Sequence, residues 1–482
     1  MKKISLLILI FSAIVTISCT SDFEKLNTDP NNPRSVRADL LLAGTIRSTQ
    51  TASYQMFGDN GAVWSQQLST VEYVTEERYL PRAGSVNNTW ASLYTAVVID
   101  AKKLEEFAIL ENNISLEAIS LIMQANAFQT LTDVYGPVPF SEAGIKGILK
   151  PKYDSQENVY KGINNMLIKA DNLLATALNI VPLPVVPASV DLIFAGDLTK
   201  WRKFANSLRF RALMRIAKAP GVNNVAEIAS VVSSGQLMSS NADTAKIFNL
   251  LDQANAHPFF ATLANRLEYK ASSVMVAKCN QYNDPRLAVF FVKNLSGNYV
   301  GNIPGTDSRN YPGTSGVGTF YKKADLSSIL LSYSQVQLLL AEAANEGYIP
   351  NPIVTGTTSK SEEYMRNGIT ASFVYNGLTT VQATTYYNQS SLDYNIAADG
   401  RKVIGEQVWL STFCQGYEPW IEWRRTGYPA LLPVVNALES TIPGRYTYPQ
   451  LEASVNQVNY AAASATLSAG DRLTSKVWWD VN

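Results

Sequence analysis

The chain has 482 residues, 46% of them hydrophobic, enough for a large buried core. Its 40 Lys and Arg balance 40 Asp and Glu, so no net field recruits phosphate backbones, and nucleic acid is not expected as a partner. Three cysteines and one histidine exclude a disulfide framework, a His-rich metal site and a Ser-His-Asp triad on any histidine but His257. No metal or cofactor is expected.

The first residues, MKKISLLILIFSAIVTISC, read as a lipoprotein signal over 1–18. Lys2 and Lys3 form a positive start, residues 6–15 an apolar run, and small Ser18 precedes Cys19. The run is shorter than the roughly 20 apolar residues of a membrane span. Thr16 stands where such sites usually have Leu. Cys19 is the expected lipidation site, and each buried methylene of an acyl chain adds about 0.8 kcal/mol of membrane affinity. Residues 19–36 are polar and turn-rich, suited to an extended tether. The folded part is expected over 37–482.

Helical periodicity then dominates. From Trp90, the residues Leu93, Tyr94, Val97, Val98, Ala101 and Leu104 recur at three and four spacing, with Asn87 or Asn88 as N-cap. Ile119, Met123, Ala127, Leu131 and Tyr135 form a second stripe closed by Gly136 and Pro137. The short polar ENNIS joins the two into a hairpin. A helix follows over 155–179, then a Pro-rich connector, then a helix capped by Asp197. In that helix Trp201, Phe204, Leu208 and Ala212 face one way, and Arg202 and Arg209 another, where bridges to acids are the ordinary meaning.

Regularity fails over roughly 236–324, where NLSGNYVGNIPGTDSRNYPGTSGVGTFYKK is too rich in Gly, Asn and Pro for helix. A long irregular stretch with repeated aromatics argues for ordered binding loops. Helical spacing returns at Ile329, Tyr333, Val336, Leu340 and Ala343, ended by Gly347 and Pro350, and continues at about 359–375, 379–396 and 401–414. A short helix, EPWIEWRRTGYP, has Pro419 in its first turn, Gly427 as C-cap and Pro429 beyond. Cys279 and Cys414, each in a helical-looking segment, are expected as buried free thiols. The fold class is therefore mainly all-α, with helix pairs suggesting TPR-like hairpins although no clean 34-residue repeat is visible.

Ligand candidates lie in the segments without helical period. VWSQQLSTVEYVTEERYLPRAGS carries Trp64, Tyr73, Tyr79 and Arg82; KCNQYNDPRL carries Tyr282 and Asn283; the irregular middle carries Tyr299, Tyr311 and Tyr321. For each, ordinary packing competes equally with ligand contact. Glu418 and Glu422 share a helical face as a glycosidase pair would. Arg425, three residues beyond Glu422, explains them equally well as ion-pair partners, so no catalytic residue is assigned. Trp420 and Trp423, at helical spacing, read first as core.

The blocks DFEKLNTDPNNP after Cys19, ANAFQTLTDVYGPVPFSEA, FAGDLTKWRKFANSLRFRALMRIA, SYSQVQLLLAEAA and EPWIEWRRTGYPAL, in that order over nearly the whole chain, resemble the SusD/RagB family of Bacteroidetes outer-membrane lipoproteins. The resemblance implies a helical scaffold with a loop-rich half, a lipid-anchored place on the cell surface, and capture of glycans or peptides for a TonB-dependent, SusC-like transporter, without catalysis. A TPR-like assembly lipoprotein of the envelope is the alternative, and a helical-barrel glycosidase a distant third.

If Cys19 carries the lipid, Cys19→Ala releases the protein from the outer-membrane fraction. Unaltered retention on cell fractionation would refute the assignment.

Overall fold

The computed structural model describes residues 38–54, 60–181, 185–252, 254–389, 392 and 400–482; the expected signal, Cys19 and the tether lie outside the described residues. Helix α1 (Ala38–Tyr54) opens the described part. Helix α2 (Ala83–Ser92) runs through a π turn (Leu93–Val98) into α3 (Ile99–Leu110). The helix thus begins earlier than the periodicity from Trp90 indicates, at Arg82, whose extended backbone precedes the first turn. Asn87 and Asn88 are interior positions and not caps. The wider π turn carries Leu93, Val97 and Val98 all inward.

Asn113 caps α4 (Ile114–Tyr135), its side chain accepting from the Leu116 N–H, and Gly136 at φ 89° stops it. Nearly every residue of α4 is buried, as expected of a helix apolar on all faces. It packs between α3 and α5 (Gln156–Ala177), and α5 pairs in turn with α6 (Leu198–Ile216). Asp197 caps α6 by accepting from the Lys200 N–H. Helix α7 (Val225–Ser233) closes this series.

The irregular middle is threaded by short elements. Strand β1 (Leu68–Thr70) pairs antiparallel with β3 (Tyr269–Ala271), and β2 (Ala245–Ile247) with β4 (Ser328–Leu331). Helices α8 (Pro258–Asn265) and α9 (Ser273–Gln281) lie between. Ile329, counted in a helical stripe from sequence, belongs to β4; Ser332 caps the helix after it and ends the extended chain. That helix, α10 (Tyr333–Asn345), packs on α11 (Lys360–Tyr375) and α13 (Gly400–Ser411), with α12 (Thr380–Tyr387) against α11. The helix expected over 379–396 ends at Tyr387 in a capping-box helix of two turns; of residues 390–396 only 392 is among the described ones. Helix α14 (Glu418–Thr426) ends at Gly427 in the left-handed conformation, φ 72°.

The two halves meet at a buried charge cluster. Arg215 on α6 reaches Glu418 at 2.5 Å, Glu422 at 3.2 Å and Asp133 of α4 at 3.8 Å. Arg425 holds Glu422 at 2.7 Å and, bidentately, Glu342 of α10 at 2.6 Å. Burial opposes ionisation of Glu418, yet Arg215 and Arg211 overcome it and hold its carboxyl down at about 2. Both glutamates of the tempting acid pair are thus engaged in scaffold ion pairs. Trp420 is fully buried, with Arg424 over its ring at 3.8 Å. Cys279 and Cys414 are buried and unpaired.

Removing Arg215 leaves buried carboxylates uncompensated. Arg215→Met is expected to lose about 3–5 kcal/mol of stability in urea unfolding, and adding Glu418→Gln and Glu422→Gln to recover part of it. Parent-like unfolding of Arg215→Met would show that the cluster contributes little.

Candidate functional site

Strand β1 places Ser69 and Thr70 beside Lys270 and Tyr269 of β3, and the pairing continues as the Val71 N–H donates to the Glu268 carbonyl. The chain then turns outward. Glu72 emerges, and Tyr73 follows at φ 58°, 68% exposed. A second loop, residues 294–318, is laid against this turn. Asn302 is its anchor: its amide donates to Ser69 Oγ at 3.0 Å and to the Thr70 carbonyl at 2.9 Å, while its oxygen accepts from Ser308 at 2.8 Å. Further along, the Arg309 N–H donates to the Val71 carbonyl at 2.7 Å. Glycine is required where the loop presses closest. A Cβ at Gly301 would stand 2.3 Å from the Ser272 backbone, and one at Gly305, φ 84°, would stand 2.2 Å from the Val435 carbonyl oxygen.

These contacts gather one face. Tyr311 donates its hydroxyl to Glu72 at 2.6 Å, and Lys270 lies 5.5 Å from the Tyr311 ring centre. Arg309 sits 3.9 Å from Glu72 and 3.4 Å from Asp307, its side chain two-thirds exposed. The hydrogen bond to Glu72 is the main cause that pushes the Tyr311 phenol up to about 12, with partial burial, the charges of Glu72 and Glu268, and Tyr73 adding to it. The face therefore offers one exposed ring, one half-exposed ring, and donors and acceptors of both kinds fixed around them. Such a set can hold a neutral polyhydroxylated ligand by stacking and hydrogen bonding.

Of the residues read from sequence, Tyr73 and Tyr311 meet here. Arg82 is next to the same turn, bound through two nitrogens to Glu76. Tyr299 lies in the second loop, half-buried, 5.7 Å from the Lys293 ammonium. Asn283 is exposed elsewhere, its amide 3.3 Å from Gln389.

Four of the candidate aromatics, for which packing and ligand contact stood equal, are core. Trp64 is fully buried, edge-on to Trp420 and Tyr446, with its indole N–H donating to the Glu76 carbonyl. The Tyr79 hydroxyl accepts from the Val434 N–H, Tyr282 donates to Glu406, and Tyr321 donates to Asn376 at 2.6 Å. Each buries a large ring and satisfies its polar tip inside the protein. Glu72, Lys270 and Arg309 were missed. Glu72 was signalled only by its place beside Tyr73, and Lys270 by the polar alternation of LEYKASS.

The sequence pattern of a SusD-like family, described as "Starch-binding associating with outer membrane", matches residues 30–449. The chain belongs to this SusD-like family. Solved structures agree on the fold. A chitin-binding protein is 26% identical, with TM-score 0.76 over 90% of this chain and 100% of that one. A SusD homologue of Bacteroides fragilis is 24% identical, TM-score 0.77, over 92% and 99%, and a chitin-binding SusD homologue of Flavobacterium johnsoniae is 24% identical, TM-score 0.78, over 92% and 99%. Among curated proteins nothing matches the chain. The mainly helical, SusD-like architecture expected from sequence is thus the one observed.

Under this loop face lies Glu77, 1% exposed, accepting from the Thr70 N–H at 3.1 Å and hydroxyl at 3.0 Å. Burial pushes its carboxyl from 4.5 up to about 7, against the Thr70 hydrogen bonds that favour the ionised form. The folded state therefore binds the proton more tightly than the unfolded chain, and stability from this group declines as pH rises between about 4.5 and 7. Relative to the parent, Glu77→Gln is expected to gain stability over that interval, by about 1.4 kcal/mol per pH unit at most. Urea unfolding of both proteins at several pH values checks this; a difference that does not change with pH would contradict it.

Proposed function

We propose that this protein is a lipid-anchored, surface-exposed outer-membrane binder that captures glycans and delivers them to a TonB-dependent, SusC-like transporter, without chemical turnover. The observation that carries the reading is the exposed Tyr73 ring beside the Tyr311, Glu72 and Arg309 set, on loops fixed at both ends, in a family described as starch-binding. Sugars present apolar ring faces and hydroxyl edges, and this face presents the matching rings, donors and acceptors. Chitin binding by one structural neighbour of 26% identity favours oligosaccharides over peptides. The Glu418 and Glu422 carboxylates, both held by arginines inside the protein, support binding over hydrolysis. Delivery to a transporter follows from the family resemblance, since a tethered binder cannot itself carry a solute across the outer membrane.

Calorimetric titration with starch-derived and chitin-derived oligosaccharides tests the reading. Tyr73→Ala and Tyr311→Ala are each expected to bind several-fold more weakly, a stacked ring contributing about 1 kcal/mol, with melting unchanged for Tyr73→Ala because its ring is exposed. Binding that both variants retain in full would remove the loop face from the mechanism. Gentle detergent extraction is expected to recover the transporter with this protein. Repeated recovery of a lone chain would favour the scaffold alternative or a free-standing binder.

A further inference from the structure

The helical half contains a concavity of about 250 Å³ between the first turns of α5, the last turns of α6, the 217–224 connector and the segment that carries Trp478. Two consecutive tryptophans part company at its edge. Trp479 is 1% exposed, its indole N–H donates to Asp133 at 2.9 Å, and Arg424 lies 4.9 Å from its ring. Trp478 is only partly buried and lines the pocket, fixed by its backbone N–H donating to Gln156 at 2.6 Å. Among the described residues its indole N–H has no hydrogen-bond partner.

The floor of the pocket is apolar, from Leu213, Ile216 and Val222. Its rim is polar and held in place. Arg209 donates to Asn164 at 2.8 Å, and Asn164 donates to one oxygen of Glu227 at 2.8 Å, which leaves the other Glu227 oxygen able to accept. The exposed amide of Asn223 also makes no hydrogen bond among the described residues. The charges cancel locally: Arg209 lies 3.5 Å from Glu227, and Lys161 lies 2.6 Å from Glu157. A charged ligand would find no excess of opposite sign. A purely aliphatic one would cover the indole N–H, the Asn223 amide and the Glu227 oxygen without satisfying them, at a cost in desolvation.

What meets all these groups is a ring with apolar faces and hydroxyls that both donate and accept. We propose that this pocket is a second carbohydrate site, separate from the loop face, that takes a single neutral sugar ring against Trp478. Its size admits one ring and not an extended chain. It shares no residue with the loop face, so either site can fail without the other.

The test is ligand-observed saturation-transfer NMR on the full chain, with methyl glucoside and N-acetylglucosamine as probes. Trp478→Ala and the double variant Asn223→Ala/Glu227→Gln are compared with the parent, and circular dichroism verifies the fold. The expected result is transfer to the ring protons of at least one sugar in the parent, about ten-fold weaker binding in a folded pocket variant, and transfer persisting in Tyr73→Ala. No transfer from either sugar, or transfer unchanged in both pocket variants, overturns the proposal. Transfer lost in Tyr73→Ala but not in the pocket variants also overturns it, while supporting the loop face as the one glycan site.

Discussion

Arg215 is buried with no exposed side-chain surface among carboxylates brought from residues 133, 418 and 422. An ionised group in such a place is tolerated only when paired and hydrogen-bonded, because its desolvation costs several kcal/mol. The pairing fixes more than charge. Asp133 comes from α4, Arg215 from α6 and the glutamates from α14, so one guanidinium makes the early helical series and the late helices adopt a single relative placement. Gln335 of α10 donates to Glu418 at 2.5 Å, and Arg425 passes the same constraint to Glu342. Shifting any of these helices by one residue would strand a buried charge.

On that scaffold the loop face is held by polar stitching and close backbone approach. Asn302, the Arg309 N–H and the glycines at 301 and 305 tie residues far apart in sequence to β1 and to the segment near 435. Loops fixed this way have little conformational freedom left to lose, which would favour affinity for the ligand proposed above. The same logic distinguishes the two tyrosines of one stretch. Tyr79 turns inward to meet the Val434 N–H, whereas Tyr73 has no such inward partner among the described residues and stays in solvent.

The helices were legible in sequence because amphipathic spacing and local caps are short-range: Asp197, Gly136 and Gly427 act within a turn of where they stand. The start of α2 and the strand at Ile329 were not, since the first turns of α2, AGSVNN, carry glycine and asparagines in place of an apolar stripe, and β2 lies some eighty residues upstream of β4. The aromatic roles were least legible. Trp64 is core because Trp420 and Tyr446 close over it, and Tyr282 because Glu406 receives its hydroxyl; those partners lie more than a hundred residues away. Tyr73 and Tyr311 were visible as candidates, but Glu72, which follows β1 into the same turn and accepts from Tyr311, carried no pattern of its own.

Tyr73 occupies the left-handed region at φ 58°, where a bulky side chain is an outlier and glycine would rest without strain. Its ring, mostly in water, returns little packing energy for that strain. A chain selected for robustness alone would carry glycine at this corner. The tyrosine therefore costs this corner some thermal endurance, as Tyr79 does at φ 72°, but where Tyr79 regains it by burying its ring, Tyr73 leaves an aromatic surface in water.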